Sequence, residues 1–516
     1  EARKNKKFKR KSIVNLRKIV AVSYLKRETS PQQTIFNKED WSSAYCNVEK
    51  ELDHAELKLV KGSIPEQISG TFYRNGPGRL ERGGRWVHHP FDGDGMIAAF
   101  KFENGKINLT NRFVRTKEWA EEEKSQKFLY RGVFGTQKEG GILANAFDVR
   151  LKNIANTHVI KLGDDLLALW EASSPYSLNP NTLETNGLSD LKGVLKKGEA
   201  FSAHPRFDPG HHKSQRMVTF GVSTGPKSTI RLMEFSTEGE NIGSLLSDRK
   251  DSFNGFAFLH DFAITPNWAI FLQNAISFNP LPFLLGQKGA AQCLASKPDG
   301  TPKFLLIPRD SGKFAGQPPK SVDAPKGFVF HHLNAWEDNE KINIESIFYD
   351  DFPSIGPEDN FREIDFDLLP EGILKRSEIN PIENTFTCST ISNQCCEFAM
   401  VNPHFEGLKA RFSWMATAEE KEGNGPLQAI KKIDLSNNKE ISWSAAPRGF
   451  VSEPIFIPSQ ESKSEEDNGW VVVLVWNSIR SGTDLIILDS KDLSETAILE
   501  VPISIPHGLH GSWVEN

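Results

Sequence analysis

Cysteine is scarce in this chain. Cys46, Cys293, Cys388, Cys395 and Cys396 are the only five in 516 residues. Their number is odd, their positions are scattered, and no Cys-x-x-Cys occurs. This argues against a disulfide framework or a thiolate zinc site and favours a reducing compartment. Long apolar runs are also missing. No window holds the roughly 18 consecutive apolar residues of a spanning helix, so no integral membrane protein is implied. The His-Glu-x-x-His zinc motif, the phosphate-binding Gly-x-x-x-x-Gly-Lys loop and the dinucleotide fingerprint are absent. Tyrosine is sparse, with six against thirty-five phenylalanines. That balance suits a hydrocarbon tunnel better than a phenol pocket, which wants polar partners. A large core filled with phenylalanine accounts for it equally well.

What is present reads as a soluble globular protein, 38% hydrophobic and 25% charged. The charge is uneven. Residues 1–30 carry eleven Lys/Arg against two Glu, so a +9 arm precedes a body carrying −14 of the net −5. Ile13, Val14, Leu16, Ile19, Val20, Val22 and Leu25 lie among those cations. A basic helix on an anionic membrane has this pattern, and so has a solvated arm or the remnant of a targeting segment. The chain opens on Glu1 rather than Met. The expected organisation is a basic arm over 1–44 and one domain over 45–516. No nucleic-acid partner is expected.

The body reads as many short strands separated by turns. Ala98–Leu109 predicts a hairpin around Asn104-Gly105, the preferred type I′ pair. Leu166–Trp170 predicts another strand, and Trp470–Trp476 with Leu485–Asp489 a further pair. Serial strands of this kind predict an all-β barrel, sandwich or propeller, and the length favours a propeller with insertions. No clean blade-length repeat is visible. Pro280–Leu285 is apolar but broken by prolines, either a loop packed on the core or an exposed patch that dips into a bilayer. Ser459–Asn468 predicts a solvated loop. Gly221-Val222-Ser223-Thr224-Gly225 matches the nucleophile elbow of serine hydrolases. Residues 226–232, directly downstream, read as a turn and a strand rather than a helix, which makes it a chance match. Asp92-Gly93-Asp94-Gly95 reads as a structural turn whose glycines supply positive φ.

Four histidine contexts stand out: Ser202-Ala203-His204-Pro205, Phe258-Leu259-His260-Asp261-Phe262, Phe330-His331-His332-Leu333 and Gly508-Leu509-His510-Gly511. His204, His260, His331 and His510 are 56, 71 and 179 residues apart, so local structure cannot bring them together. A propeller can, because its inner strands converge on one axis. Imidazole suits Fe, Zn, Cu and Ni, and four neutral imidazoles leave a divalent ion its full charge. Six-coordinate iron would keep up to two positions open. Any one of these histidines alone is more readily a satisfied core residue, and His54 and His158 carry no such claim. Glu171, Glu397 and Glu453 lie at strand ends in apolar settings. Buried carboxylates need partners, and the outer N–H of a metal-bound imidazole would serve. Exposed strand-end glutamates would look the same.

At these residues the chain resembles the carotenoid cleavage oxygenases. The marks are Phe72-Tyr73-Arg74-Asn75-Gly76-Pro77, Phe91-Asp92-Gly93-Asp94-Gly95-Met96, the four histidine contexts, Glu397-Phe398-x-x-Val401-Asn402-Pro403 and Glu453-Pro454-x-Phe456-x-Pro458. They run in order from about residue 50 to the C-terminus. The resemblance implies a seven-bladed β-propeller with a loop/helix dome over an axial Fe(II). It implies His204, His260, His331 and His510 as ligands, with His331 chosen over His332 and His510 over His507. It implies Glu171, Glu397 and Glu453 as partners of His260, His331 and His510, with none for His204. It also sets Thr157 facing the sixth iron position. Ser452 stands where glycine is common and Ala399 where proline is common, which bears on loop geometry only.

The implied activity is dioxygenase cleavage of a conjugated C=C bond in a carotenoid or apocarotenoid, retinal-type products included, with O₂ and the polyene as the only co-reactants. Relatives of this kind also cleave stilbene-like phenylpropanoids, and one branch isomerises retinoids; an isomerising or non-catalytic lipid-binding propeller is the remaining alternative. The expected location is cytoplasmic or plastid stroma. Peripheral membrane contact is expected through Pro280–Leu285, the basic arm, or both.

Overall fold

Strands Asp94–Glu103 and Lys106–Phe113 pair antiparallel, and between them Asn104 and Gly105 take φ of 53° and 68°. Both central residues are left-handed, as a type I′ turn requires. The apolar run near the C-terminus behaves likewise: Gly469–Asn477 pairs antiparallel with Gly482–Asp489. The computed structural model describes residues 36–210, 214–353, 360–460 and 465–516. The basic stretch 1–30 lies outside the described residues.

Seven antiparallel sheets follow one another along the chain. The second to sixth are simple four-stranded meanders beginning at His158–Leu162, Arg206–Asp208, Ala263–Ile264, Phe328–Asp338 and Cys396–Met400. The first and seventh share the chain ends. Strand Gly511–Glu515 pairs with Gly70–Arg79 in the first sheet, and Lys58–Gly62 pairs with Glu495–Glu500 in the seventh. The architecture is a seven-bladed β-propeller whose ring closes twice.

The core sits between blades. On strand Gly469–Asn477, Val472 and Leu474 pack with Phe72, Phe100 and Phe102 of the first blade, while Val471, Val473 and Val475 pack with Trp414 and Ile430 of the sixth. Side chains alternate across a strand, so a strand covered on both faces needs an unbroken apolar run. Burying each such side chain contributes about 1.5–3 kcal/mol.

Irregular elements cap the ring. Helix Lys117–Ser125 is capped by Thr116, whose hydroxyl accepts from the Trp119 N–H at 3.0 Å. Helix Lys38–Ser42 buries Trp41 with Phe450 and Trp476, so residues 36–44, grouped with the arm from sequence, pack on the propeller body. Leu281–Leu284 is a single helical turn. No helix among the described residues is long and apolar enough to cross a membrane. All five cysteines are free thiols.

One sequence expectation changes and another is met. Gly93 has φ −71°, and Gly95 is not left-handed either. These glycines answer close approach instead: a Cβ on Gly95 would lie 2.2 Å from the Ala155 carbonyl oxygen, and one on Gly93 2.7 Å from Pro77 Cβ. The serine of Gly221–Gly225 closes strand Arg216–Ser223, which turns back into the antiparallel strand Lys227–Ser236. A hairpin there leaves no strand-to-helix elbow.

Candidate metal centre

Each blade delivers one or two groups to the axis from its inner strand or the loop beside it. The first supplies His510, immediately before strand Gly511–Glu515. The second supplies Thr157 and His158 at the head of His158–Leu162. His204 and His260 precede the third and fourth inner strands, and His331 lies within the fifth. Glu397 sits in the sixth, Cys396–Met400, and Glu453 comes just after Gly449–Val451 in the seventh.

The four histidines converge. One ring nitrogen from each of His204, His260, His331 and His510 lies within 4.8 Å of the other three. His204 Nε2 and His260 Nε2 are 3.0 Å apart. His331 Nε2 is buried and has no hydrogen-bond partner. Burial holds His204 and His510 well below the usual imidazole range, and the neighbouring histidines push the same way. Neutral rings with converging lone pairs are costly to bury without an acceptor of those pairs. The orphaned His331 nitrogen and the all-nitrogen donor set fit a first-row divalent metal.

Outside this group stand the three glutamates. Glu171 lies 2.5 Å from His260 Nδ1, Glu397 2.7 Å from His331 Nδ1 and Glu453 2.8 Å from His510 Nδ1. Each carboxylate takes the ring N–H opposite the converging nitrogens and so fixes ring orientation. Burial alone would depress His331, but Glu397 outweighs it and raises the imidazole, and His331 in turn holds Glu397 below the usual carboxylate range. The Tyr349 hydroxyl also donates to Glu397. Glu453 accepts from Arg74 at 2.9 Å and from the Gly511 N–H at 2.7 Å, while burial raises its carboxyl. No carboxylate meets His204 among the described residues.

The doublets separate cleanly. His332 turns away from the group, with its Nδ1 2.6 Å from Ser346 Oγ. His507 packs against Tyr45 with ring centroids 5.2 Å apart. Asp92 accepts from the Phe134 and Thr136 N–H groups at 2.9 and 3.0 Å, and Asp94 pairs with Arg82 and Lys152. Both aspartates tie loops and lie outside the centre. His158, passed over in the sequence, lies against two of the four rings, with centroids 6.0 Å from His204 and 5.6 Å from His510. Its only sequence mark is its place directly after Thr157.

Above the histidines is a chamber of about 200 Å³ lined by Phe91, Phe134, Phe258, Phe330, Phe398 and Trp170, with Thr157 at its floor beside His260, His331 and His510. A second cavity of about 340 Å³ shares Phe91, Tyr349, Glu397, Phe398 and Leu509 with it.

The family model described as Retinal pigment epithelial membrane protein matches residues 45–515. The chain belongs to this family, the carotenoid oxygenases. It is 44% identical to the apocarotenoid-15,15'-oxygenase of Synechocystis over 94% of this chain and 98% of that protein. It is 30% identical to resveratrol cleavage oxygenase 1 of Aspergillus fumigatus over 91% and 94% of the two chains. Among solved structures, the cobalt-substituted Synechocystis enzyme superimposes with a TM-score of 0.90 at 43% identity, covering 94% of this chain and all of that one. This carotenoid oxygenase thus shares its fold with that relative over nearly its whole length.

Proposed function

We propose that this chain is an Fe(II)-dependent dioxygenase that splits one conjugated C=C bond of an apocarotenoid. The observation that carries this reading is the set of four imidazoles within 4.8 Å beneath a phenylalanine-lined chamber. The 44% identical Synechocystis relative, named for apocarotenoid oxygenation, supports the substrate class.

His204, His260, His331 and His510 would hold the ion, and Glu171, Glu397 and Glu453 would keep three of those rings oriented. Iron(II) held there would supply the activation of O₂. The phenylalanines bind the polyene along its length, exclude water and present one double bond beside the centre. Thr157 lines the chamber beside His260, His331 and His510. One C=C and one O–O bond break, two C=O bonds form, and the substrate furnishes the electrons, so no outside reductant is consumed. The chamber's tyrosine hydroxyl, on Tyr349, is already committed to Glu397. That leaves the lining better suited to a hydrocarbon than to a phenolic stilbene.

So insoluble a substrate comes from a membrane or carrier, and the surface offers a place to meet one. Leu143, Phe147 and Leu281 are 94%, 76% and 58% exposed. They lie on abutting segments, for the Phe147 N–H donates to the Leu284 carbonyl at 2.7 Å. Phe283 turns inward under Arg131, whose guanidinium lies 4.1 Å from the ring centroid. Pro280–Leu285 is therefore half anchored and half presented, which suits shallow insertion into a bilayer. The basic stretch 1–30 would add attraction to an anionic membrane.

The deciding experiment gives iron-loaded protein a panel of carotenoids, apocarotenals and one hydroxystilbene, with products separated and weighed. Paired carbonyl fragments from a polyene are expected, and their lengths locate the bond. Cleavage of the stilbene alone would keep the iron chemistry and overturn the substrate. No cleavage by iron-loaded protein would overturn the enzyme.

A further inference from the structure

Three of the four converging histidines lean on a glutamate, and His204 does not. Beside His204 lies His158, with ring centroids 6.0 Å apart. It opens the inner strand of the second blade, between the blades that carry His510 and His204. Its Nδ1 lies 2.9 Å from the carbonyl oxygen of Ala203, the residue before His204. Its Nε2 lies 3.1 Å from the carbonyl oxygen of Gly511, the residue after His510. One imidazole thus lies between the backbones of two blades from a third; the neutral ring carries a single N–H, so it donates to one of these carbonyls and packs against the other. Its own backbone is pinned, since Asn75 Nδ2 donates to the His158 carbonyl at 2.8 Å.

We propose that His158 is a positioning residue that fastens the His204 and His510 backbones at the separation a metal requires. This role rests on the four histidines being a metal centre. The glutamates set ring orientation through Nδ1, whereas His158 acts on the main chain that carries the rings. Metal–nitrogen distances tolerate only about ±0.2 Å. His204 and His510 come from separate blades, and their ring centroids lie 4.4 Å apart, interplanar angle 82°. The His510 N–H already ties that backbone to the second blade through the Thr157 carbonyl at 3.0 Å. The His158 ring, wedged between the Gly511 and Ala203 carbonyls, carries that link on to the His204 backbone.

Cobalt(II) is the probe, because its visible absorption reports coordination geometry independently of turnover. Wild type, His158→Ala, His158→Asn and His158→Gln are titrated with Co(II), and metal-free melting temperatures are recorded alongside. Asparagine sets an amide near the Nδ1 position and glutamine near Nε2, so each keeps one tether. The expected result for His158→Ala is Co(II) affinity lowered about 10-fold, within the range of losses outside the ligand shell, with altered absorption bands. The Asn and Gln variants should fall between. A residue that merely satisfies one buried carbonyl and fills space would lower the melting temperature and leave the bands alone. Wild-type bands and affinity in His158→Ala, or in the Asn and Gln variants if alanine does not fold, overturn the inference. A folded wild type that takes up no Co(II) overturns the metal centre itself, and a wild type that binds while the variants match it overturns only the role of His158.

Discussion

Arg206 Nη2 and Asp261 Oδ2 meet 2.7 Å apart, two residues after His204 and one after His260. Arg206 also donates to the Phe262 carbonyl and, at 2.7 Å, to the His332 carbonyl, while Asp261 accepts from the His332 N–H at 2.8 Å. The pair therefore links the three consecutive blades that carry His204, His260 and His331. Asp261 is held below the usual carboxylate range, because Arg206 and His332 outweigh the burial that would raise it.

Asp261→Ala should destabilise the fold by about 3 kcal/mol, the low end for breaking a buried ion pair, because Glu406 still faces the Arg206 guanidinium at 3.4 Å. Denaturant melts measure this. The triple variant Arg206→Met, Asp261→Leu and Glu406→Gln removes all three charges and should recover much of the loss. A single variant within about 0.5 kcal/mol of wild type would contradict a structural role for the pair, that being the range of ordinary surface substitutions.

His260→Ala and His510→Ala should each lose bound iron and activity. Glu453→Gln should be milder, with affinity about 10–100-fold weaker. Elemental analysis after gel filtration checks all three. Iron at full occupancy in both alanine variants would rule out these ligands.

Leu143→Asp with Phe147→Asp should abolish co-sedimentation with anionic vesicles while leaving cleavage of detergent-dispersed substrate near the wild-type rate. Unchanged sedimentation would remove this patch from the membrane contact.

Burial lowers His89 to about 3 and His507 to about 4. The unfolded chain protonates these rings near pH 6.5, so it binds more protons than the folded chain below that pH. Their contribution is intact above pH 6.5 and is lost as the pH falls toward the folded values. Each ring should cost at most about 1.4 kcal/mol per pH unit in that window. His89→Asn should flatten the decline between about pH 6.5 and 3 in urea melts of the metal-free protein. An unchanged slope would show that His89 is not a source of it.

The hairpin at Asn104-Gly105 and the strand Gly469–Asn477 were readable because their determinants are local: a turn pair in one, an unbroken apolar run in the other. The converging histidines were readable through their flanking residues. His158 was not, because its partners are two backbone carbonyls, which leave no mark in a sequence. Arg206 and Asp261 did leave one, a charge set among apolar residues beside a histidine, but its meaning needed three blades side by side. The blade repeat stayed hidden because insertions of unequal length separate the strands, as with the ribbon Ile276–Phe278 with Leu294–Ser296 inside the fourth sheet.

The two-fold closure of the ring bears on how tightly the ion is kept. His204, His260 and His331 sit on three consecutive blades, whereas His510 enters with the strand that zips against Gly70–Arg79. A breathing motion at that seam would withdraw one imidazole and leave three in place. Local openings of this kind need far less free energy than global unfolding. The rate at which metal escapes should therefore track the seam's opening equilibrium, and a cross-link between those two strands should slow escape more than it raises the melting temperature.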